Sequence, residues 1–167
     1  MTEGPWSGQD SRPAENPGPD DATPGVPAPH GDPQGDVYTW YQRGLELLGR
    51  GSPAAAAQLL ERAAEAEPGS RSVLEALGRA QFDTRRYDEA AATFRRIVEA
   101  SPSDDYAHFG LGLALARGGN PRAAAEHLAL AAAMRPELRH YTEALQGVRA
   151  TLRARAQAAG EPPGAPA

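Results

Sequence analysis

Four histidines, seventeen arginines and a complete absence of cysteine and lysine set the chemical repertoire of this chain. The histidines are His30, His108, His127 and His140. No two of them stand four residues apart, the spacing that puts two imidazoles on one helix face for a metal. Without cysteine, thiol catalysis, disulfides, iron–sulfur clusters and Cys-based zinc sites are excluded. Without lysine, so are a P-loop, a Schiff base and a Lys-polarised phosphate site. Serines, histidines and acids are all present, but no G-x-S-x-G turn raises a serine toward a base. Arg85-Arg86 and Arg95-Arg96 could touch phosphate, yet such pairs are more often solvated helix faces. The residues therefore point to a non-catalytic chain with no cofactor and no metal.

Charge and hydropathy remove further classes. The formal net charge is −5. Residues 1–36 carry seven acids and one arginine, whereas residues 37–157 carry sixteen arginines and fourteen acids. A near-neutral region with interspersed signs offers no electrostatic footprint for nucleic acid. No apolar run approaches the roughly 20 residues of a membrane helix. The opening MTEGPWSGQD has neither a basic start nor an apolar middle, so no secretory signal and a cytoplasmic location are expected. Arginine in place of lysine, with abundant Ala, Gly and Pro, suggests a GC-rich, bacterial coding bias.

What must position these side chains is a periodic framework. Pro68, Pro102 and Pro136 end three similar stretches, EAEPGS, EASPSD and AAMRPEL, and stand 34 residues apart. A proline there bars the preceding helix from continuing. Ser52-Pro53 and Asn120-Pro121 place a capping residue before a proline at the first helical position. Ser70 and Ser103 are further cap candidates, with Asp104 and Asp105 where a helix dipole favours negative charge. These signals predict helices over 36–49, 53–66, 70–83, 87–100, 104–117, 121–134 and 137–156. Residues 1–35, rich in Pro, Gly and Asp, and residues 158–167 lack core-forming side chains and are expected to be disordered. The folded part is expected to span 36–157.

Rows of 34 residues align Gly44, Gly78 and Gly112, and likewise Ala56, Ala90 and Ala124. Leu60, Phe94 and Leu128 form a third column, and Ala63, Ile97 and Ala131 a fourth. Small residues in mid-helix cost stability unless a neighbour needs the space. The columns thus predict close crossings of paired helices, with the large side chains filling the adjacent gap.

The pattern resembles the tetratricopeptide repeat (TPR) family, a 34-residue helix–turn–helix repeat. Trp40, Gly44, Leu47, Ala56, Leu60, Ala63 and Pro68 match its signature in the first row. Leu74, Leu77, Gly78, Tyr87, Ala90, Phe94 and Pro102 match in the second, and Leu111, Gly112, Leu115, Ala124, Leu128, Ala131 and Pro136 in the third. Arg43, Gln81 and His108 depart from it, and Phe82 is expected to replace part of the packing lost at Gln81. The resemblance implies an all-α, right-handed superhelical solenoid of three repeats (about 37–70, 71–104 and 105–138). A capping helix over 137–156 would cover the last face with Leu138, Tyr141, Leu145, Val148 and Leu152.

By the same resemblance, the first helix of each pair lines a concave groove that binds peptides. The implied groove residues are Tyr38, Tyr41, Leu45, Glu75, Arg79, Asp83, Tyr106, Phe109, Leu113 and Arg117. Family members that grip a chaperone's C-terminal carboxylate do so with Lys and Asn. This chain has no lysine, and its asparagines are Asn16 and Asn120 alone, so that clamp is absent. The expected function is a protein- or peptide-binding adaptor whose partner is neither nucleic acid nor membrane. The alternative is a structural module that self-associates weakly into homo-oligomers.

Overall fold

The computed structural model describes residues 5–6 and 36–160. The chain divides into a unit over 1–34 and a unit over 35–167. Of the first unit only Pro5 and Trp6 are described; they lie in a turn, and Trp6 is buried. The rest of the 1–35 segment and residues 161–167, expected to be disordered, lie outside the described residues; the tail expected from residue 158 is corrected at its start, since Ala158 ends the last helix and residues 159–160 form a turn.

The second unit holds seven helices: α1 (Val37–Gly49), α2 (Pro53–Ala66), α3 (Arg71–Asp83), α4 (Tyr87–Ala100), α5 (Asp105–Arg117), α6 (Pro121–Met134) and α7 (Arg139–Ala158). No strand occurs among the described residues. Every helix lies within two residues of the range the sequence predicts. Three of the starts carry a short polar cap side chain, those of Asp36 and Asp104 in extended backbone. Asp36 accepts from the Thr39 N–H at 2.8 Å, and Asp104 from the Ala107 N–H at 2.9 Å. Asn120 accepts from the Ala123 N–H at 3.3 Å. One expectation is corrected here. Asp104 rather than Ser103 caps α5, because Asp104 is the last residue before the helix and its carboxylate reaches the N–H three residues on. Ser52 and Ser70 occupy cap positions without making the side-chain bond.

The turn inside each hairpin repeats the same bonds. Ser52, Arg86 and Asn120 donate their N–H to the carbonyls of Leu47, Gln81 and Leu115, each at 2.8 Å. Gly51, Arg85 and Gly119 donate to Leu48, Phe82 and Ala116. This is the double closure of a Schellman motif, which needs a residue in the left-handed region. Gly51 (φ 71°) and Gly119 (φ 91°) provide it without strain; Arg85 (φ 63°) does so with a side chain attached. Between hairpins the chain turns at Pro68, Pro102 and Pro136, with Asp104 N–H bonded to the Ser101 carbonyl at 3.0 Å in the middle case.

The small-residue columns do what their spacing predicts. A Cβ on Gly44 would lie 2.7 Å from Leu60, one on Gly78 2.7 Å from Phe94, and one on Gly112 2.6 Å from Leu128. Gly110 meets Phe94 from the next hairpin, where a Cβ would lie 2.6 Å from the ring. Phe94 is therefore clasped between two glycines of successive repeats, and it is fully buried. At the departures from the pattern, Arg43 is exposed, while Gln81 is buried and accepts from the Thr93 hydroxyl at 2.7 Å. Phe82 is buried and meets Tyr87 edge-on at 5.3 Å.

Each helix packs on its neighbours in sequence. Beyond that, α1 touches α3, α3 touches α5 and α5 touches α7, whereas α2, α4 and α6 do not touch one another. The odd helices thus form one closely spaced layer, and the even helices splay apart behind it. Helix α7 closes the last face with Tyr141, Leu145 and Val148 buried. No described helix is long and apolar enough to cross a membrane.

Candidate functional site

All ten groove residues read from the sequence lie on α1, α3 and α5, the layer of odd helices, but their exposure differs sharply along it. Tyr38 is 70% exposed. Tyr41 and Leu45 are half-buried on the same helix. Glu75 and Arg79 of α3 are also half-buried, and Asp83 is exposed at the end of that helix. On α5, Leu113 is half-buried and Arg117 exposed.

Tyr41, Ser72, Glu75 and Arg79 converge between α1 and α3. Burial first, and then the Glu75 carboxylate, raise the Tyr41 phenol above its usual range; a hydrogen bond with Ser72 and the Arg79 guanidinium act against them. Glu75 is held one turn from Arg71, whose Nη2 lies 2.7 Å from Glu75 Oε1. The Arg71 Nε also donates to Asp104 Oδ2, and Asp104 is buried at the start of α5. A polar cluster therefore lies beside the half-buried Tyr41 ring, one helical turn from the exposed Tyr38.

Two of the expected groove residues are corrected. Tyr106 is 5% exposed and Phe109 2% exposed, so neither presents its ring to a partner. Tyr106 packs edge-on against Phe94 of the preceding outer helix, centroids 6.2 Å apart. Phe109 stacks on Tyr141 of α7 at 4.5 Å and meets His140 edge-on at 5.2 Å. The Tyr141 hydroxyl donates to Asp105 Oδ2 at 2.9 Å, which satisfies the polar end of a fully buried ring. The accessible aromatic face is thus confined to the first hairpin.

Features outside the inner layer were less legible in the sequence. Arg62, on an exposed face, lies over the Trp40 ring at 5.6 Å, a cation–π contact across the first hairpin. A cavity of about 350 Å³ lies where the α5–α6 turn meets the end of α7, lined by Pro121, Arg122, Leu152 and Arg155 among others. None of the ten groove residues lines it. Among the described residues, no group of three or more His, Asp or Glu side chains is placed to hold a metal ion.

Three helical hairpins stacked through their first helices, with an extra helix over the last, define a helical-repeat scaffold. The tetratricopeptide repeat profile matches residues 41–105 and again 76–139, more than half of the chain, which therefore belongs to the tetratricopeptide repeat family. No curated protein matches the chain. Among solved structures it is similar to MamA (residues 41 to end) from Desulfovibrio magneticus RS-1, at 22% identity and TM-score 0.68, covering 75% of this chain and 71% of that one. It is similar to the first TPR domain of human RPAP3, at 15% identity and TM-score 0.67, covering 72% and 95%. It is also similar to YrrB, described as a TPR protein with an unusual peptide-binding site, at 23% identity and TM-score 0.63, covering 66% and 57%. At these identities the likeness concerns the fold.

Proposed function

We propose that this chain is a non-catalytic protein- or peptide-binding adaptor that engages its partner on the open face between α1 and α3. The observation that carries the reading is the exposure of Tyr38 one turn from Tyr41, with Glu75 and Arg79 next to Tyr41. Aromatic rings give large contact area while freezing few torsions, and oriented charges at their edge set register. The first TPR domain of RPAP3 has been solved with the HSP90 peptide SRMEEVD, and the second with the HSP70 peptide SGPTIEEVD, so scaffolds of similar fold hold short acidic peptides. The absence of lysine here points to a different set of contacts, with Arg79 supplying positive charge. A bacterial, cytoplasmic setting belongs to the same reading and rests on composition alone.

Selection of a displayed peptide library on the full chain tests it. Tyr38→Ala with Tyr41→Ala should lower the affinity of selected peptides at least about thirtyfold, since an aromatic anchor typically contributes 2 kcal/mol or more. Glu65→Ala with Glu99→Ala, on exposed outer-helix positions, should leave it unchanged. A library that yields no binder, or binders indifferent to the tyrosines, would remove the reading. Self-association remains the second reading because Leu130 on outer helix α6 is 47% exposed. Light scattering that shows a monomer at all concentrations would remove that one.

A further inference from the structure

Helix α1 buries a single residue, Gly44, whereas α3 buries Val73, Leu74, Leu77 and Phe82 among others. Part of that difference is an end effect. In the columns where α3 has buried Val73, Leu77 and Ala80, α1 has exposed Thr39, Arg43 and Glu46, so the side that a preceding hairpin would cover is polar. What stays uncovered and apolar is the inner side. Tyr38, Tyr41, Leu45 and Leu48 recur at i, i+3, i+7 and i+10, a ridge roughly 15 Å long down one face of the helix. Tyr38 is exposed and the other three are half-buried. The neighbouring helix α3, which touches α1, sets a polar row beside it: Ser72, Glu75, Arg79 and Asp83, charged minus, plus, minus at steps of one turn.

We propose that the occupant of this face is an amphipathic α-helix of a partner protein, laid along α1 with its apolar stripe on the ridge and an edge of charges ordered plus, minus, plus against Glu75, Arg79 and Asp83. The inference rests on the reading of the α1–α3 face as the binding surface and names what that surface takes. The first reason is hydrogen bonding. An extended segment brings a free N–H and C=O at every residue, and each needs a partner once water is excluded. The ridge offers two phenol hydroxyls, and neither α1 nor α3 carries an asparagine or a lysine. A helix satisfies its own backbone and presents side chains alone. The second reason is spacing. The ridge side chains recur every three or four residues, about 5 Å along the axis, which matches the rows on another helix. Same-face side chains of a strand recur at about 6.6 Å and lose step with the ridge over its length. The third is charge. Glu75 also pairs with Arg71, and the signs on the row read the same from either end, so the row sets the register of the occupant and not its direction.

Two displayed peptide libraries selected on the full chain test this. One is held helical by an alanine-rich background with apolar residues fixed at i, i+3, i+7 and i+10; the other is kept extended by a proline at every fourth position. Binders that Tyr38→Ala with Tyr41→Ala weakens at least about thirtyfold should come from the helical library, with helical carbon shifts in the bound peptide. Tyr38→Ala alone, at an exposed position, serves if the pair disturbs folding. The selected edge should carry Arg or Lys, then Asp or Glu, then Arg or Lys, one turn apart. Arg79→Glu should weaken these binders severalfold, and changing their central acid to arginine should restore them. Tyrosine-dependent binders from the extended library, alone or in equal number, would overturn the helix and leave the adaptor reading standing. Helical binders indifferent to Arg79→Glu would also overturn it. Tyrosine-dependent binders from neither library would remove both readings. A dimer in light scattering that the same tyrosine change abolishes would make a second copy the occupant, and would overturn the proposal as well.

Discussion

The first and third hairpins place aromatic residues in the same two columns, and the two hairpins treat them oppositely. Tyr38 and Tyr41 remain accessible or half-accessible, whereas Tyr106 and Phe109 are buried. The difference comes from the neighbours. Tyr106 has Phe94 of the preceding hairpin against it, and no described hairpin precedes Tyr38. Phe109 meets His140 and Tyr141 on the next inner helix, where Tyr41 meets Ser72 and Glu75. In the column of Tyr141, the earlier inner helices carry Thr39, Val73 and Ala107, none of them aromatic. A repeat position is therefore core or surface according to the bulk its neighbours bring, and the repeat alone does not assign it.

Breaking the buried member of this comparison should give the largest effect. Phe109→Ala is expected to destabilise the folded unit by about 3–5 kcal/mol in urea unfolding. Tyr38→Ala should stay within about 0.5 kcal/mol, as exposed positions do. Equal losses at both sites would show that the two hairpins are packed alike.

The glycine crossings come next. Gly78→Ala drives a Cβ into the Phe94 ring and should cost about 1–3 kcal/mol. Gly49→Ala, where a Cβ meets nothing within 4 Å, should be neutral or raise stability by about 0.5–1 kcal/mol. A thermal melt of the pair checks the register of the whole repeat. The turn column gives a similar but smaller contrast. Arg85→Gly should raise stability by about 1 kcal/mol because Arg85 holds a left-handed φ, and Gly51→Ala should lower it by a similar amount.

The smallest effect is electrostatic. Phenolate absorbance in an alkaline titration should show Tyr41 ionising above the ordinary tyrosine range, for the reasons of burial and the Glu75 charge. With a raised folded value, its contribution to stability is fully present below the unfolded value, about 10, and is lost as pH rises through the folded one. Glu75→Gln should bring the titration down part of the way, leaving the burial component.

Much of the framework was legible because it is local. Prolines 34 residues apart, proline after a cap residue and glycine opposite a large side chain each act through the backbone nearby, and the helices fall where these place them. Burial on the inner layer was not legible, because it depends on Tyr141 and His140 arriving from a helix more than thirty residues away. The Arg85 strain left a trace in the sequence, a column reading Gly51, Arg85, Gly119. The hydrogen bond between the His108 and His127 rings left less: residues 19 apart in sequence meet only when the hairpin closes. Arg62 makes the same point, since an arginine on an exposed face proves to sit over Trp40.

The central claim is that the partner is held on the open α1–α3 face of the first two hairpins and not by the third. Amide and side-chain NMR of the full chain, titrated with a peptide selected on it, measures this directly. Shifts are predicted at Tyr38, Tyr41, Ser72 and Arg79, fading toward Leu113 and Arg117, with the Phe109 and Tyr141 rings unmoved. Shifts centred on α6 around Leu130, or on the buried rings of the third hairpin, would contradict it.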